Sequence, residues 1–345
     1  MLYQKQALSE RMTLERRMQI RAWAALCILI TLVWAAPSSS APPGWPASLT
    51  IGSGPPGSVL PIYGEALAAI LTEALGIPVS AQATQGPVQN ILLIDSGTVQ
   101  LGFVSAGTTL QSWNGTGAWT QGKQMRSMRA LFPTFGLAFQ VVVLKSSGIR
   151  SFADMAGKKI GTGAAGTTGG TYMPEIFKLL GIPATFRNAA FNVMGSQMQS
   201  HELDVMLAAV EAPTPAIAEL ARAESVDFIA PSDTEIATIR KAMPEFGVAV
   251  VPAGTYPSLP ADYKTIGMSV FGVASKDLPD DLVYAIVKAF YANHDRLVKA
   301  HVTARESVVE NAKLITVIPF HPGAARYYRE IGVEIPDALA KSTAQ

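Results

Sequence analysis

The sequence predicts an α/β fold in two similarly built lobes, joined by a long strand that passes between them. Three observations predict it. Short apolar runs alternate with helical patterns through most of the 345 residues, the mark of a mostly parallel sheet with helices on its faces. A strand, a glycine-rich turn and a helix follow one another twice, first around Leu49-Thr-Ile-Gly-Ser-Gly-Pro-Pro-Gly57 and again around Lys158-Lys-Ile-Gly-Thr-Gly-Ala-Ala-Gly-Thr-Thr-Gly-Gly170. Between these two units, residues 128–144 are apolar and turn β-branched toward Gln140-Val-Val-Val-Leu144, as a strand crossing between lobes requires.

The N-terminus reads as an export device. Arg16, Arg17 and Arg21 precede an uncharged run over residues 22–36. That length suits a signal-peptide core and is short for a membrane span. Val33-Trp-Ala35 supplies small residues at cleavage spacing. Residues 1–36 are therefore expected to be a signal peptide or, if uncut, an anchor, with the remainder periplasmic. Residues 37–48 form a proline-stiffened linker. Cys27 is the sole cysteine, so no intramolecular disulfide forms. Without residues 1–35 the chain has 22 basic and 24 acidic residues, a net charge of −2, which argues against a nucleic-acid partner.

The elements follow in order. Residues 49–51 form a strand and 60–75 a helix stopped by Gly76. A strand at 79–83, a helix at 86–94 and a buried strand at 99–104 complete the first unit. Residues 107–124 are polar and glycine-rich, with Trp113 and Trp119, and read as a loop or lid. Beyond the crossing strand, Ser151 with Asp154 three residues on caps a short helix. Helices at 172–180, 193–200, 216–223 and 234–243 alternate with strands at 203–210, 226–229 and 247–251. A strand at 268–274 returns to the first lobe, and 279–299 reads as one long amphipathic helix. A last helix follows the turn Pro319-Phe-His-Pro322. One lobe is then 49–144 plus 266–345, and the other 145–265.

The two glycine turns are the candidate site. A helix N-terminus presents free N–H groups to an anion, and glycine permits the tight turn and the close approach. Ser53, Gly54 and Gly57 belong to the first turn, and Gly163, Thr167 and Thr168 to the second. Two such turns on two lobes imply closure on one small carboxylate-type solute. Both match G-x-G-x-x-G, yet a dinucleotide is excluded: Pro55-Pro56 lacks the amides that pyrophosphate needs, and no acidic residue stands where ribose would want one. A serine hydrolase is disfavoured because Gly102-Phe-Val-Ser105 misses the nucleophile-elbow spacing. The four histidines, His201, His294, His301 and His321, show no zinc spacing. No catalytic or metal-binding residue and no cofactor is expected.

Many ordered segments over residues 49–336 make the chain resemble the TAXI family of solute receptors for TRAP-type transporters. They include Ile51-Gly-Ser-Gly54, Gln82-Ala-Thr-Gln-Gly86 with Asn90, Ser147-Gly-Ile-Arg-Ser-Phe-Ala-Asp154, the turn at 161–169, Pro213-Thr-Pro-Ala-Ile217, Pro252-Ala-Gly-Thr-Tyr-Pro257 and His321-Pro-Gly-Ala-Ala-Arg-Tyr-Tyr328. The resemblance implies a type II periplasmic-binding-protein fold with a two-strand hinge and a central cleft. It implies a small organic anion as ligand and delivery to an ion-gradient-driven permease. The receptor is expected to be a monomer. Gln85, Gly86 and Asn90 join the expected contacts on this basis. Three departures bear on the ligand. Ser58-Val-Leu-Pro-Ile-Tyr63 lacks the family's tyrosine pair, Ser105-Ala-Gly107 replaces a more polar strand end, and Glu211 replaces a small residue. A carboxylate at Glu211 in the cleft disfavours a dianion unless it is paired or turned away. A membrane-held sensing ectodomain is the other binding-class reading, and a periplasmic hydrolase the enzymatic one.

Overall fold

The computed structural model describes residues 42–335. The expected signal peptide, Cys27 and the start of the linker lie outside the described residues. The chain folds as the sequence predicts, into two α/β lobes spanned by one continuous sheet of ten strands.

At the first end of the sheet, β1 (Leu49–Gly52) lies between β2 (Val79–Gln82) and β3 (Leu101–Ser105), all parallel. Their crossovers are α1 (Leu60–Leu75) and α2 (Pro87–Asp95). Pro61 opens α1, and Gly76, at φ 68°, ends it by donating its N–H to Thr72 O. At the second end, β5 (Lys159–Gly161) pairs in parallel with β6 (Thr185–Arg187) and with β7 (Val205–Val210). Here the helices are α4 (Thr168–Leu179) and α5 (Phe191–Gln199), and α6 (Pro215–Ala223) follows β7. In the first lobe, α3 (Ala106–Asn114) follows β3 directly.

Two long antiparallel strands serve both ends. β4 (Met128–Leu144) runs beside β10 (Tyr263–Ser275) through its first half, then pairs with β7 and with β8 (Val226–Phe228). β10 pairs with β9 (Gly247–Val251) through its first half and with β3 through its second. These two strands form the hinge. The β4–β10 register breaks between Ser269 and Phe271 and again between Gly272 and Val273, and such irregularities bend a strand pair. Gly267 is required at the crossing because any Cβ there would strike Leu137 O.

Apolar packing fixes each end. In the first lobe, Phe132 of β4 stacks on Phe290 at 3.7 Å, and Tyr63 sits edge-on to both Phe103 and Phe135. In the second lobe a separate cluster gathers Phe191, Met194, Met206, Ile217 and Tyr256.

Three local expectations change. The polarity of residues 107–124 predicts a loop, but most of their first half forms α3. The Thr108, Thr109 and Ser112 side chains are buried, and two of the hydroxyls bond locally, Thr108 to Ser105 O and Ser112 to Thr109 O. The long helix expected at 279–299 is two: α8 (Asp280–Ala292) and α9 (His294–Ala300), divided at Asn293, whose side chain donates to Ala289 O. The cap built by Ser151 and Asp154 leads only into a single 3-10 turn at Ala153–Met155. Within the expected linker, Trp45 packs on the core and donates to Asp281 Oδ2 at 2.9 Å. Two further helices, α7 (Asp233–Ala242) and α10 (Pro322–Glu330), lie outside the cleft, and α10 is capped by buried His321.

Candidate functional site

The two helix N-termini meet across the hinge. At α4, Thr167 is the N-cap: its Oγ1 accepts from Gly170 N at 3.0 Å and donates to Ala164 O at 2.7 Å. Gly163, at φ 82°, makes the turn possible, since a Cβ there would stand 2.8 Å from Thr167 Oγ1 and 3.0 Å from the Phe191 ring. At α1, Ser58 donates its hydroxyl to Pro55 O, while Val59 N turns outward toward the other lobe.

Direct contacts join the lobes there. Thr168 Oγ1 donates to Ser105 Oγ at 2.9 Å. Val88 N donates to Gly166 O at 3.1 Å, and Ala216 N to Gly57 O at 3.4 Å. Gly86 and Gly57 allow this approach: a Cβ at Gly86 would lie 3.0 Å from Gly166 O, and one at Gly57 2.9 Å from Asn192 N. Between these contacts runs a narrow cavity of about 30 Å³. Pro55, Leu60, Phe135, Leu137, Phe191 and Val270 give it an apolar wall, with Ser58, Thr167, Thr168 and Glu211 as its polar side chains.

Glu211 is the one ionisable group in that lining, and it is only 2% exposed. Its Oε1 accepts from Val59 N at 2.8 Å, so a carboxylate of the second lobe caps the first helix of the first lobe. The turn bearing it is braced by hydrogen bonds. Gln140 Nε2 donates to Val210 O and Glu211 O, Tyr256 OH donates to Gln140 Oε1 at 2.7 Å, and Thr214 N donates to Tyr256 Oη at 2.8 Å. Burial pushes the Glu211 carboxyl up to about 7, and the Val59 and Glu211 amides draw it only part of the way back.

The sequence-predicted residues therefore fall into three groups. Thr167, Thr168 and Glu211 line the cavity, and Ser105 is bonded to Thr168. Gly57, Gly86 and Gly163 shape the backbone around it. Ser53, Gly54 and Asn90 lie inside the first lobe, and Gln85 is exposed. Asn90 Nδ2 donates to Ser53 O at 2.9 Å and Phe103 O at 2.8 Å, stitching β1 to β3, while its buried Oδ1 meets no donor. Sequence reasoning missed Ser58, Leu60, Phe135, Leu137, Phe191 and Val270. Phe135 and Leu137 carried a usable signal, because they stand in the middle of the predicted crossing strand.

A larger hollow of about 400 Å³ adjoins this cavity over the hinge, sharing Phe135, Leu137 and Val270 with it. There Gly136 N donates to Glu306 Oε2 at 2.7 Å. Neither helix N-terminus nor any glycine turn reaches this hollow, so it belongs to the hinge. Among the described residues no group of three or more His, Cys, Asp or Glu is placed to hold a metal ion, and no helix is long and apolar enough to cross a membrane.

Residues 51–332 match the NMT1-like family. The chain belongs to that family. The match takes in both lobes, both glycine turns and the hinge of this NMT1-like protein. Among solved structures, it is similar to a putative L-cystine ABC transporter protein from Listeria monocytogenes, at 14% identity and a TM-score of 0.48, covering 78% of this chain and 99% of that one. It is also similar to an alkanesulfonate-binding protein from Xanthomonas axonopodis pv. citri, at 14% identity and a TM-score of 0.45, covering 86% and 82% respectively. An ancestral arginine-binding protein is similar at 15% identity and a TM-score of 0.46, covering 76% and 96%.

Proposed function

We propose that this protein is a periplasmic solute receptor that captures a small organic anion, a carboxylate or an amino acid, between its lobes. One observation carries the reading: two glycine turns, each opening a helix, meet across a two-strand hinge and wall a common cavity. Helix N-termini favour a negative group by about 0.3–1 kcal/mol each at exposed sites and more when buried. The lobes already touch here around a cavity of about 30 Å³, room for little more than water, so they part about the hinge to admit a solute and close again on it. The lobes divide near residues 144 and 265. Thr168, Thr167, Ser105 and the turn amides near Gly57, Gly86 and Gly163 are the proposed contacts. Ser53, Gly54, Gln85 and Asn90 support that surface.

The ordered segments that resemble TAXI receptors support delivery to a TRAP-type permease. Catalysis has no support in the cleft, where the single ionisable side chain is tied to a backbone amide and has no histidine beside it.

A thermal-shift screen of carboxylates and amino acids tests the receptor reading, because a ligand of the folded state raises the melting temperature by mass action. A stabilising solute is expected; no response across the whole screen contradicts it. Uptake through the cognate permease is expected to need an ion gradient. Uptake that tracks ATP hydrolysis replaces the TRAP-type partner with an ABC-type one. Mass spectrometry of the exported protein is expected to place its N-terminus near Ala36. A retained leader favours the membrane-held sensor.

A further inference from the structure

Glu211 brings a carboxylate into the cleft, and its two oxygens differ. Oε1 accepts Val59 N and so takes the position at the α1 N-terminus that an anionic group of a solute would otherwise use. The bond from Val59 N leaves Oε2 as the other oxygen of a side chain that is almost wholly buried and lines the cavity. Nothing in the lining neutralises it: no lysine, arginine or histidine is present there. Once Glu211 is ionised, a solute carboxylate on this side would meet a like charge in a poorly hydrated space, and a cationic donor there would favour that ionised form. The opposite turn is different. Of the α4 N-terminal amides, Gly170 N and Thr171 N are taken by Thr167, while Thr168 N and Gly169 N donate to no acceptor among the described residues. The walls between the two turns are apolar.

From this geometry we infer that Glu211 determines specificity: it selects a solute with one acidic group for the α4 turn, a hydrogen-bond donor such as a protonated amine for Oε2, and a short apolar body. That description fits a small apolar amino acid and rejects a dicarboxylate. The inference rests on the receptor reading, and its test separates the two.

The experiment is isothermal titration calorimetry on the full exported chain with L-valine, with 3-methylbutanoate, which has the same body without the amine, and with succinate. Wild type is expected to bind valine about tenfold or more tighter than 3-methylbutanoate, with succinate weaker still. Glu211→Gln is expected to weaken valine by about tenfold while 3-methylbutanoate stays within about threefold and succinate gains. An unchanged ratio of valine to 3-methylbutanoate in the variant overturns the inference, and so does a wild-type preference for succinate. The wild-type preference needs no variant and decides the matter if Glu211→Gln does not fold. Binding of another solute with valine ignored overturns the role of Glu211 and leaves the receptor standing. Binding of no solute at all overturns the receptor itself.

Discussion

Substituting Glu211 by glutamine makes stability depend on pH in a way that the structure specifies. In the unfolded chain this carboxyl titrates at its ordinary value near 4.5, and in the native state burial raises it to about 7. The native state therefore holds a proton that the unfolded state has lost throughout the interval between those values. Where the native state binds more protons, stability falls as pH rises. The Glu211 contribution is thus intact below the lower value, declines through the interval and is fully lost above the upper one. At about 1.4 kcal/mol for each unit, the total is about 3 kcal/mol. Glutamine keeps an oxygen for Val59 N and cannot ionise. Urea denaturation of wild type and Glu211→Gln, run from pH 4.5 to 8.5, should show the variant gaining about 2–3 kcal/mol relative to wild type across that range, with the change complete near neutrality. Parallel profiles would refute the buried, proton-binding carboxyl.

Other substitutions probe the rest of the architecture. Gly163→Ala places a Cβ on left-handed backbone against Thr167 Oγ1 and Phe191; a loss of about 1–3 kcal/mol in chemical denaturation is expected, with solute binding lost. Gly181→Ala is the reference, since its φ is also positive but no atom lies within 4 Å of the added carbon, and it should cost less and leave binding intact. Thr168→Val removes a hydroxyl bonded to Ser105, which keeps Thr108 as a partner; a stability loss near 1 kcal/mol is expected in the same assay, with weakened solute binding. Phe290→Ala empties the stack on Phe132 in the first lobe; about 3–5 kcal/mol should be lost, read as a lowered urea midpoint.

Much of the fold was legible because its signals are local. Strand and helix alternation, Gly76 as a helix stop and the apolar run of β4 each point to one structure. What escaped was decided by distant partners. The polar residues Thr108, Thr109 and Ser112 read as a surface loop, yet they are buried in α3, where Thr108 and Ser112 hydroxyls find acceptors one turn back. Asn293 divides a pattern whose apolar period continues through it. The site divides in the same way. Thr167 and Thr168 stand out because a cap and a glycine turn are contiguous in sequence. The pairing of Glu211 with Val59 spans 152 positions, and no local pattern encodes it. Asn90 enters by resemblance alone, and the bonds of its amide to Ser53 O and Phe103 O are set by residues 37 and 13 positions away. Phe191 and Val270 are apolar residues like dozens of others, and only the closing of the two lobes makes them a wall.

The most direct measurement is a crystal structure of the exported chain with the solute that the thermal screen selects. The account predicts electron density between the two turns, with the acidic group of the solute on the Thr168 and Gly169 amides and its other end against Ser58, Leu60 and Glu211. Density confined to the outer face of one lobe, or lodged over the hinge beside Glu306, would contradict it.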